Sequence, residues 1–234
     1  MLDRPAHIPA AITQVPLTFP WTNQISMRLD DFDGVPAHLG VALAKISYKG
    51  RLALALASLE WVVWRLSGWI DVRDAFERLE AAWALQVSVS EVRDLGLESV
   101  RDDLGVRGNP AGPLQEALMR LEILDLMFRK GKPQLSTKSG LCAVLALHVL
   151  PADSGFEDWL EKALVALAVT DPCAPDFDRR ALRFDYSGEA AVPRAWFEDP
   201  TTPRDSESAA AQWDSFFATA HAGNNPYLVP VVLA

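Results

Sequence analysis

The chain has little of what usually betrays an activity. Its 234 residues include two cysteines, Cys142 and Cys173, too few for a disulfide framework or a thiolate metal cage. Each sits among apolar or turn residues, so both read as reduced, buried thiols of a cytoplasmic protein. The four histidines, His7, His38, His148 and His221, lie far apart, and no two share a helix at metal-ligand spacing. Cys142 and His148 fall on different helix faces, which argues against a nucleophile pair. The nucleophile elbow, the phosphate-binding loop and the dinucleotide fingerprint are all missing. The longest apolar run, Leu52–Leu66, is interrupted by Glu60 and Arg65, too short and too charged to span a bilayer. Met1–Pro5 has no apolar stretch behind a basic one, so no secretory signal is expected.

Positive charge is also scarce. Lys and Arg number 22 against 31 Asp and Glu, for a net charge of −9. The deficit is regional. Residues 1–150 carry 17 acids and 16 bases, whereas residues 151–234 carry 14 acids and 6 bases. Phosphate neutralisation supplies most nucleic-acid affinity, so a nucleic-acid partner is not expected. The basic group Arg129, Lys130 and Lys132 reads as a solvated helix C-terminus favoured by the helix dipole.

What is present is helical periodicity. Residues 1–36 carry five prolines and read as an N-terminal arm, in which Gln24–Leu29 alternates polar and apolar as a short strand or a packed arm would. Residues 37–234 read as a single helical domain whose last third, 151–234, is acidic. Leu52, Leu56, Leu59, Val63 and Leu66 make one helix face, with Trp61 and Trp64 on a second. Gly50 suggests a break before this helix and Gly68 a C-terminal cap. Asp71 is a natural N-cap for the helix carrying Val72, Phe76, Leu79 and Trp83, antiparallel to its predecessor. Further helices are expected over about 113–129, 137–150, 156–168 and 206–222, with a short one inside 90–103. Ser154–Glu157 has a capping-box pattern. The fold class is therefore all-α: about seven helices in a compact antiparallel bundle or irregular helical array.

Candidate chemistry is sparse. Asp30, Asp31, Asp33 and His38 could gather a hard cation, which would make the chain a metal-dependent hydrolase, but they lack an ordered ligand spacing and suit a turn before a helix better. No metal or cofactor is assigned. Recognition is a better fit to the acidic third. Asp176, Asp178, Asp185, Glu189, Glu198 and Asp199 surround Trp196 and Phe197, and aromatic anchors ringed by acids suit a protein with a basic surface. The helix Leu59-Glu60-Trp61-Val62-Val63-Trp64-Arg65, the acidic helical body and the Asn225-Pro226-Tyr227-Leu228 ending resemble bacterial immunity proteins encoded beside polymorphic or contact-dependent secreted toxins. The resemblance implies a cytoplasmic protein, not an enzyme, that occludes a toxin's active site. A helical scaffold or regulatory subunit would share the same composition.

Overall fold

A computed structural model describes residues 2–96, 108–174, 182–202 and 205–230. The described chain is all-α, with eight α-helices: α1 (Asn23–Leu29), α2 (Ala37–Leu43), α3 (Tyr48–Leu66), α4 (Arg73–Ala84), α5 (Ala111–Arg129), α6 (Leu135–Val149), α7 (Phe156–Thr170) and α8 (Ser206–Ala222). The β-pairing among the described residues is confined to two isolated bridges, Ile46 with Pro172 and Val92 with Leu228.

Helix α3 is the axle. It packs on α4, α5, α6 and α7, and of its nineteen residues only Lys49 and Trp64 escape full burial. The two apolar faces read from sequence are thus both inward. A helix apolar all round has to be surrounded. Gly50 does not break it: Ser47 caps the N-terminus by accepting from the Gly50 N–H at 3.1 Å. A Cβ on Gly50 would sit 2.7 Å from the Ile46 side chain, so the position needs the missing methyl more than a bend. Gly68 follows the helix end as expected, and its reason is tertiary. A Cβ there would come within 2.1 Å of the Thr13 carbonyl oxygen.

Other local expectations shift. Gln24–Leu29 is part of α1 and not a strand, because Thr22 caps it by accepting from the Ile25 N–H. Asp71 accepts from the Arg73 N–H at 3.0 Å, while Val72 occupies the N-cap of α4. The capping box at Ser154–Glu157 does not form; Gly155, with φ +82°, caps α7, a conformation glycine adopts without steric cost. Within the 90–103 segment the described part holds only a single 3-10 turn, Val89–Glu91, and residues 97–107 lie outside the described chain.

Three buried arginines and the half-buried Arg129 tie the irregular segments to this helical centre. Arg65, in α3, donates from Nη1 to the carbonyls of Ile12 and Val15 and from Nη2 to Pro16 at 2.7 Å. Arg51 gives its Nε–H to the Leu43 and Ile46 carbonyls at 2.9 and 2.8 Å. Arg78 holds the carbonyls of Leu95 and Gly96. Arg129 holds those of Val89, Val92 and Arg93, so it is a tether rather than a solvated helix end. A guanidinium has five N–H donors in a fixed fork, which suits collecting several carbonyls that no helix or sheet satisfies. Ile8, Ile12, Ile25 and Leu29 of the arm join the same apolar core as α3.

Candidate interaction surface

The residues singled out in the acidic third separate into three groups. Asp176 and Asp178 lie outside the described residues. Trp196 and Phe197 point inward, 5% and 1% exposed, which overturns their reading as surface anchors. They sit on a 3-10 turn, Arg194–Glu198, whose indole and phenyl rings meet edge to face at 5.0 Å. Phe197 touches Trp83 at 5.8 Å and Trp159 at 5.9 Å, and the Trp159 Nε1–H donates to the Phe197 carbonyl at 3.2 Å. Burying such rings stabilises by roughly 2–3 kcal/mol each. Glu189 is also engaged within the chain. It accepts the backbone N–H of Tyr48 on Oε1 at 3.0 Å and that of Lys49 on Oε2 at 2.8 Å, closing the first turn of α3, where a carboxylate is favoured by the unpaired N–H groups and the helix dipole.

Asp185, Glu198 and Asp199 remain exposed. Asp199 accepts from the hydroxyls of Thr201 and Thr202 at 2.6 and 2.7 Å; these bonds hold its carboxyl below the usual range. The Ser187 N–H and hydroxyl do the same for Asp185. Asp205 caps α8 through the Ser208 N–H at 2.8 Å, which likewise lowers its carboxyl, and exposed Glu207 follows it. Local donors thus favour the ionised form of Asp185, Asp199 and Asp205.

A buried ion pair stands behind the turn. Arg194 Nε lies 2.7 Å from Glu60 Oε1, which also accepts the Trp83 indole N–H at 2.6 Å, and Arg194 reaches the Asp3 carbonyl. Nearby, His7 stacks flat on Trp159, with ring centroids 5.1 Å apart and planes 6° apart. Burial, with Arg194 adding to it, pushes the imidazole down to about 4. This cluster joins the arm, α3, α4, α7 and the 194–198 turn.

The hydrolase constellation does not assemble. Asp30 pairs with Lys138 at 2.8 Å, and Asp31 accepts from the Asp33 N–H at 3.1 Å to cap a 3-10 turn. His38 is exposed on α2. Among the described residues no three His, Cys, Asp or Glu converge as metal ligands. A concavity of about 290 Å³ opens beside them, lined by Phe32, Val35, Arg51, Thr137 and Phe184; it presents no ordered pair of acid and base. Cys142 is fully buried and its thiol is pushed up to about 12 by desolvation, so it is no nucleophile. His148 is half-buried, and its Nε2 meets the Pro20 carbonyl at 2.9 Å, another tie to the arm.

One surface escaped the sequence reading. Helix α7 buries Trp159, Leu160, Ala163 and Leu167, yet Val165 and Val169 face outward at 63% and 77% exposure. Valines off the buried stripe were legible as a signal. No described helix is long and apolar enough to cross a membrane. No family model, curated protein or solved structure matches the chain.

Proposed function

We propose that this chain is an immunity-type protein that binds a basic surface on a cognate bacterial toxin and neutralises it by occluding its active site. The observation that supports this reading is that the acids of the last third include Asp185, Glu198, Asp199, Asp205 and Glu207, all exposed to solvent. Trp196 and Phe197 anchor the turn that carries Glu198 and leads into Asp199, and Asp199 and Asp205 are held by hydroxyl and amide donors. A preorganised charged surface loses little freedom on binding, and its field speeds encounter with an opposite charge. The aromatics thus contribute by fixing the acids, and the acids meet the partner.

The test is co-expression with the product of the adjacent toxin gene. Rescue of growth by this chain, lost on Glu198→Lys with Glu207→Lys, supports the reading, and the affinity is expected to fall about tenfold or more, in line with a few charge contacts. Binding should also weaken as salt rises. A neighbour that kills while this chain is present at equal level ends the immunity reading.

A further inference from the structure

The outward face of α7 has an order to it. Glu157, Glu161, Val165 and Val169 recur every four residues and so form one line along the helix. Asp158 and Lys162 flank its first half, and all six side chains are exposed. At the far end the chain turns back on α2. The Cys173 N–H donates to the Lys45 carbonyl at 2.7 Å and the Ser47 N–H to the Asp171 carbonyl at 2.8 Å, while Ile46 pairs with Pro172. Exposed Lys45 therefore stands where α7 ends. Helix α2 packs against α7, and the segment that follows it meets the end of α7. Along this row the exposed side chains run from acid to two bare valines, and Lys45 stands at the far end.

We propose that this face pairs with its own copy, forming a two-fold dimer through antiparallel α7 helices. A two-fold interface requires that if one residue meets another, the reciprocal contact also forms. The point midway between Glu161 and the level of Lys45 falls between Val165 and Val169. A two-fold axis there lays valines on valines and places Glu161 of each copy against Lys45 of the other. The parallel arrangement would set Glu161 against Glu161, which like charge disfavours. The dimer does not rest on the toxin-binding reading: its valines lie in the C-terminal half of α7, whereas the 194–198 turn packs on Trp159 in the first turn of that helix.

The test is sedimentation velocity on the full chain from low to high micromolar concentration, with circular dichroism and melting to show that each variant folds. The wild type is expected to shift from monomer to dimer as concentration rises. Val169→Asp should weaken the dimer about a hundredfold, since it buries an unpaired carboxylate twice. Lys45→Glu and Glu161→Lys should each weaken it about tenfold, because symmetry counts each pair twice. The double variant Lys45→Glu/Glu161→Lys should recover to within about twofold of wild type, as the swapped charges again oppose. Met27→Asp, on another exposed apolar side chain, should leave the dimer intact. A wild type that stays monomeric throughout, a Val169→Asp protein that dimerises as well as wild type, or a double swap no better than the single variants would each overturn the proposal.

Discussion

The centre of the molecule and its wrapping are held by different interactions. Around α3, Leu52, Leu56, Leu59, Val63 and Leu66 are wholly buried among α4, α5 and α6, and the cohesion is apolar area and close packing. The helices satisfy their own backbone, so side chains there have only to fill space. The stretch of the arm before α1, the 89–96 loop and the 194–198 turn have only single turns in place of such a ladder. Arg65 and Arg194 gather carbonyls of the arm, Arg78 and Arg129 those of the loop, and the Trp159 indole takes the Phe197 carbonyl of the turn. The difference teaches where each region is vulnerable. A core side chain can lose atoms gradually, whereas a tether that is removed leaves several dry carbonyls together.

Arg65→Met is the sharpest way to break that contrast, and the largest effect expected. Three arm carbonyls lose their donor, at about 1–3 kcal/mol each if left dry. The arm should undock, giving rapid proteolytic cleavage within residues 1–20 while helical circular dichroism persists. Equal protection of the arm in wild type and variant would refute the tether. Leu59→Ala attacks the other side of the comparison. It is fully buried, so about 2–5 kcal/mol of global stability should be lost, with arm and helices melting together in urea; separate transitions would contradict a single apolar centre.

A third experiment uses pH. The imidazole of His7 falls from its ordinary value of 6.5 to about 4 on folding, through burial and the nearby Arg194. The neutral ring is thus the folded form, and the unfolded chain takes up the proton first. Stability is fully present above pH 6.5 and declines as the pH falls towards 4, by roughly 3 kcal/mol in all. His7→Phe keeps a ring against Trp159 without a titration, so the wild-type-minus-variant stability should slope over that window. A flat difference would show that His7 is not buried in the folded state. The smallest effect belongs to the rim. Tyr227 donates its hydroxyl to exposed Asp74, and Arg78 lies 4.5 Å from the centre of the same ring. Tyr227→Phe keeps the ring and should cost no more than about 1 kcal/mol by thermal melting.

Much of the fold was legible because helical period and local caps act over a few residues. The double apolar face of the Leu52–Leu66 segment foretold a surrounded helix, and the hairpin with α4 followed from the short turn between them. The candidate surface was legible only in part. Charge located the acidic third, but sequence proximity placed Trp196 and Phe197 in the same surface as Glu198 and Asp199. A 3-10 turn sends neighbouring side chains in different directions, so the rings entered the core and the acids stayed in water. Glu189 was unreadable for another reason: its partners, Tyr48 and Lys49, lie at the start of a helix far back in the chain.

By itself, the sequence determined the longer helices, α3 to α8, their approximate limits and the acidity of the last third, since these depend on composition and on spacings of three or four residues. The tertiary structure alone decided which polar groups meet. Arg65 collects the arm, Glu60 joins Trp83 to Arg194, and Lys45 stands at the end of α7 opposite in charge to its beginning. Such contacts join residues distant along the chain. They form only after apolar burial has closed the loops between them, and no local pattern records where a buried guanidinium will find its carbonyls.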